Sequence, residues 1–114
     1  MTMIEIARDA RGRPRVVPGS ASPILVDFLE TDLRDDAKWV AQVAARLAEP
    51  GHGGDPVTGN IYALEIRGST SVLRNIHDAR APALVLPTAE LAAAVGAWLK
   101  AVRRRRPAQA QPKD

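Results

Sequence analysis

The stretch NIYALEIRGSTSVLRNIHD, residues 60–78, places the tightest limit on what this chain can fold into. Tyr62, Leu64 and Ile66 alternate with Ala63, Glu65 and Arg67, the period of a strand. After Gly68-Ser69, Val72 and Ile76 alternate with Leu73 and Asn75. A Gly-polar pair between two alternating runs is a hairpin signal, because glycine reaches the backbone angles of a tight turn without strain.

The flanking segments supply the other elements. MIEIA (residues 3–7) alternates, RDARGRP brings turn residues Gly12 and Pro14, and RVV returns as a second short strand. Ser22 before Pro23 predicts a helix N-cap with proline at the first helical position. From residue 24 to 48, Leu29, Leu33, Ala37, Val40, Val43 or Ala44, and Leu47 recur at spacings of three and four, which predicts a helical stripe. The first part, residues 24–30, reads as strand or helix, since short apolar runs cannot be typed by period alone. A break is expected near residues 31–35, with Thr31 or Asp32 as the new cap. EPGHGGDP ends the stripe. Residues 83–86 read as a short strand. PTAELAAAVGAWLKAV then predicts a helix capped by Thr88, with Leu91, Val95, Trp98, Leu99 and Val102 on its inner face. The order β-β-α-β-β-β-α indicates an α+β fold: an antiparallel sheet of about five strands on two main helices. One domain is expected over residues 1–102, with a basic, disordered tail at 103–114.

The four aromatic residues, Phe28, Trp39, Tyr62 and Trp98, leave the core to Leu, Val, Ile and Ala. With no cysteine there are no disulfides, thiolate nucleophiles or Cys-based zinc sites. No apolar run approaches the roughly 20 residues that span a bilayer, and the N-terminus lacks a signal-like apolar stretch, so a cytoplasmic protein without membrane insertion is expected. The formal charge of +3 is local: residues 103–114 hold five cations and one anion, which leaves the body at −1.

Little in the chain is arranged for catalysis. His52 near Asp55 lies in a glycine-rich loop with too few neighbours for a metal site of about four ligands. His77 and Asp78, adjacent on a strand, point to opposite faces. No serine sits in a G-x-S-x-G elbow, and no glycine loop matches a phosphate-binding fingerprint. No cofactor is expected. Arg103, Arg104, Arg105 and Arg106 could contact phosphate, and equally complement a helix C-terminus. RDARGRPR adds four arginines near the first hairpin, and the nucleic-acid reading gains if the two clusters share a face.

The densest feature is DFLETDLRDD, in which Asp27, Glu30, Asp32, Asp35 and Asp36 surround Arg34. Carboxylates in this number permit a Mg²⁺ site with substrate phosphates. They also suit the positive end of a helix dipole, or a surface that steers a basic partner. On one continuous helix Asp32 and Asp36 share a face and repel.

The motifs ARDARGRPRV, FLETDL, GNIYALEIRGSTSVLRNI and LPTAELAAAVGAWLKAV together resemble the bacterial YacL-like family and the small immunity proteins of the same build. The resemblance rests on Arg8-Asp9 with Gly12, Phe28 with Glu30, Tyr62 with Leu64, and Leu91 with Trp98, and spans nearly the whole chain. It implies a compact α+β protein without enzymatic machinery, of a kind that neutralises contact-dependent toxins by binding. The family supplies no catalytic residues to carry over. The expectation is therefore a non-enzymatic immunity protein that occludes a cognate toxin's active site or substrate groove. The carboxylates of Asp27, Glu30, Asp32, Asp35 and Asp36 would meet basic toxin residues. The alternative is a nucleic-acid-associated protein using Arg103, Arg104, Arg105 and Arg106 with Arg11, Arg13 and Arg15.

Overall fold

The computed structural model describes residues 4–49 and 56–110, with side chains described as far as Arg104. The first hairpin pairs β1 (Ile6–Arg8) with β2 (Pro14–Val16), Ile6 opposite Val16. Asp9 builds its turn. One carboxylate oxygen accepts from the backbone N–H of both Arg11 and Arg13 at 2.9 Å, and Gly12 takes a φ of 81°. These bonds, that from Arg13 foremost, hold the Asp9 carboxyl below its usual pKa.

Residues 24–30 are helical. α1 (Pro23–Asp27) starts as expected, with the Ser22 hydroxyl accepting from the Leu25 N–H. The chain then widens into a π-helical segment (Phe28–Leu33), in which the Arg34 N–H bonds five residues back to Leu29. The segment buries Phe28, Leu29, Asp32 and Leu33. The helical path breaks at residues 34–36, and the cap of the next helix is Asp36, not Thr31 or Asp32. The Asp36 carboxylate accepts from the Trp39 N–H at 3.1 Å and starts α2 (Ala37–Ala48). Asp32 and Asp36 therefore belong to different elements and share no helix face.

The strands that follow form a meander in the order β3 (Val57–Thr58), β4 (Tyr62–Arg67), β5 (Thr70–Asn75) and β6 (Leu84–Pro87). The β4–β5 turn falls at Gly68-Ser69, with Arg67 opposite Thr70 and Gly68 at φ 64°. The α+β class and the expected helices and hairpins are all present. The strands number six rather than about five among the described residues, and they divide into a two-stranded and a four-stranded sheet. β3, two residues long, lies below the length at which alternation can be read from sequence.

α3 (Thr88–Ala110) closes the domain. Val40, Val43 and Leu47 of α2 join Leu91, Ala94, Val95, Trp98 and Val102 of α3 and Tyr62, Leu64, Leu73 and Leu86 of the sheet in one core. Thr88 does not serve as the expected cap. Its hydroxyl is buried and donates to the Gly68 carbonyl at 2.8 Å, so the Ser71 hydroxyl must be the donor in their 2.7 Å bond. Those bonds bolt the start of α3 to the β4–β5 hairpin. The backbone expected to leave the domain as a disordered tail at 103 stays helical to Ala110. The four arginines at 103–106 favour helix, and extending an existing helix avoids the cost of nucleation. Residues 111–114 lie outside the described residues, as do His52 and Asp55.

Candidate functional site

The acidic stretch is mostly internal framework. Asp32 is 3% exposed, and its two carboxylate oxygens accept from the Ile61 N–H at 2.9 Å and the Tyr62 N–H at 2.8 Å. The π-helical segment thus clamps the turn that leads into β4. Gly59 makes the clamp fit: a Cβ there would lie 2.6 Å from the Asp32 carboxylate. Asp27 accepts from the Thr31 hydroxyl at 2.9 Å and from the Tyr62 phenol at 2.8 Å. Burial, then the bond to Asp27, pushes the Tyr62 phenol up to about 12. Glu30 accepts from the Val16 N–H at 2.7 Å and the Arg15 guanidinium at 3.0 Å, so it ties the segment to β2 and raises the pKa of Arg15.

The expectation that all five carboxylates form one outward docking surface is corrected on this geometry. Asp32 is out of a partner's reach, and Asp27 and Glu30 are engaged within the chain. Asp36 is an exposed helix cap, and Asp35 is exposed beside it.

What the stretch does build is a corner. Arg34 adopts φ 53° and ψ −143°, the one positive φ outside glycine among the described residues. Such angles strain a side-chain-bearing residue and persist only where surrounding contacts hold them. Here the Arg34 N–H bonds to Leu29, and the Arg34 carbonyl accepts from the Trp98 indole N–H at 2.7 Å. Trp98 is 1% exposed, so the pin is embedded in the core. Beside the corner opens a cleft of about 390 Å³, lined by Arg13, Arg15, Glu30, Arg34, Asp35 and Trp98 among others. Arg13 pairs with Asp9 and Arg15 with Glu30, whereas Arg34 forms no ion pair among the described residues.

Trp98 was legible as a core residue, but its role as a pin was not, because its partner is a backbone carbonyl 64 residues away. Asp32 did leave a signal. It sits between Leu29 and Leu33, on the apolar side of its own stripe.

The other polar candidates hold turns. The His77 ring Nε2 lies 2.8 Å from the Asn60 carbonyl, and Asp78 accepts from the Arg80 N–H. Among the described residues no group of three His, Asp or Glu could hold a metal ion, and no helix is long and apolar enough to cross a membrane. The side chains of Arg105 and Arg106 lie outside the described residues; Arg103 and Arg104 are exposed. No family model, no curated protein and no solved structure matches the chain.

Proposed function

We propose that the chain is a non-enzymatic binding protein of the immunity type, acting in the cytoplasm to neutralise a cognate bacterial toxin by covering its active site or substrate groove. The observation that carries this reading is the pinned corner at residues 34–36. It presents an exposed arginine and two exposed aspartates next to an arginine-lined cleft. A surface held in one conformation before binding loses little entropy on association, which is how a small interface reaches useful affinity. Its mixed charge suits a partner with both signs in register, and such pairing sets specificity and association rate. The resemblance of FLETDL and GNIY to the YacL-like pattern supports the same reading. These are the segments that Asp32 and Gly59 lock together.

The test is co-expression with a toxin encoded beside the chain's gene. The intact chain is expected to restore growth, and the double charge reversal Arg34→Glu with Asp35→Lys to lose that protection while keeping its unfolding midpoint. Protection undiminished by the reversal would rule out the corner as the contact surface. The absence of any toxin activity from the neighbouring products would remove the immunity reading.

A further inference from the structure

The two arginine clusters of the sequence meet, although not through the residues that look most basic. Arg8 of β1 donates from one guanidinium nitrogen to the Ala101 carbonyl of α3 at 2.9 Å, and from another to the Gly12 carbonyl at 2.8 Å. This lays β1 along α3 and opens a shallow seam of about 250 Å³, whose charged lining is Arg8, Lys100 and Arg104. No carboxylate lines the seam, and none of the three cations has an ion pair among the described residues. By contrast, Arg13 and Arg15 of the first hairpin are neutralised by Asp9 and Glu30.

We infer that this seam binds the phosphate backbone of a nucleic-acid duplex without regard to sequence, using residues distinct from the corner at 34–36. Three observations select that partner. Lys100 and Arg104 are four residues apart on one helix, so they share a face about 6 Å apart along its axis, and Arg8 adds a third charge beside them. A row of uncompensated cations on a rigid helix is the complement of a regularly spaced polyanion. No exposed aromatic ring flanks the row: Trp98, the nearest in sequence, is 1% exposed. Stacking on single-stranded bases therefore has no platform, and the contacts fall on phosphates, which position without reading sequence. The seam's own large apolar side chains, Ile4 and Ile6, are half-buried against the core, and the large exposed ones, Ile76 and Val85, lie outside it, so an anionic membrane finds no fully exposed apolar side chain to insert.

The experiment is fluorescence anisotropy of a labelled duplex of about 20 base pairs against the full chain, from about 50 to about 200 mM NaCl. The expected result is binding that weakens steeply with salt and does not depend on duplex sequence. Lys100→Gln with Arg104→Gln should weaken it at least about tenfold at the lowest salt, and flatten the log–log salt slope by about 2, since each phosphate contact contributes about 0.9. Arg13→Gln should leave it unchanged. Equal affinity of the double variant and the parent would overturn the proposal, as would failure of the parent to bind duplex at about 50 mM salt. Displacement of the duplex by polyglutamate at equal charge concentration would overturn it in favour of an acidic protein partner.

Discussion

Asp32 and Gly59 form the most sharply defined joint in the molecule at the level of single residues. A buried carboxylate that accepts two backbone N–H bonds leaves both donors orphaned when it is removed, and orphaned buried donors cost about 1–3 kcal/mol each. Asp32→Ala is expected to lower stability by about 3 kcal/mol in urea unfolding. Gly59→Ala alone should cost about 1–3 kcal/mol, because the new methyl overlaps the carboxylate. In the Asp32→Ala background that overlap is gone, so the two effects should add to less than their sum, by at least about 1 kcal/mol. Strict additivity would show that the contact at 2.6 Å is not what excludes a side chain at Gly59. Arg34 gives the opposite sign. Its φ of 53° and ψ of −143° suit glycine, so Arg34→Gly should raise stability by up to about 1 kcal/mol, relief of strain outweighing chain entropy. A loss of similar size would mean the corner carries no strain.

The π-helical segment explains, at the scale of elements, why the parts fit. It holds β2 through Glu30 and the β3–β4 turn through Asp32, while Asp27, the last residue of α1, holds the β4 tyrosine. The Tyr62 phenol, the only one in the chain, reports on this joint. Its folded pKa of about 12 stands above the ordinary 10.0, so its contribution to stability is fully present below pH 10 and is lost as pH rises through 12. Unfolding measured across that window should show a decline that Tyr62→Phe removes; an identical decline in both proteins would contradict the assignment. Much of the element layout was legible because its signals are local. The Ser22 cap, the stripe from Leu29 to Leu47 and the Gly68-Ser69 turn each depend on neighbours within a few residues. The site was less legible. Asp32 and Asp36 are the same residue type in the same stretch. Only contact with a turn 29 residues away decides that one is buried and the other caps a helix. Thr88 misled for a related reason: a hydroxyl suited to capping found partners in the β4–β5 hairpin, at Gly68 in its turn and Ser71 in β5, instead.

For the whole molecule, charge is sorted by engagement rather than by count. Most of the acidic stretch serves the fold, two of the four hairpin arginines are paired with carboxylates, and two regions gather outward-facing charge around a cleft or seam. One is the rigid corner at residues 34–36; the other is the seam between β1 and α3. The body's formal charge near −1 conceals both, because a net count does not show where exposed charge lies. The corner carries the central proposal, a binding protein whose partner surface is fixed in advance by the Trp98 bond and the π-helical segment. The most direct test is calorimetric titration of the proposed partner, a toxin sought among the products of the neighbouring genes, with the parent chain and with the Arg34→Glu, Asp35→Lys variant. The account predicts that the variant folds with an unchanged midpoint and binds at least about 30-fold more weakly, the loss of one central contact worth about 2 kcal/mol. Affinity within twofold of the parent would contradict it.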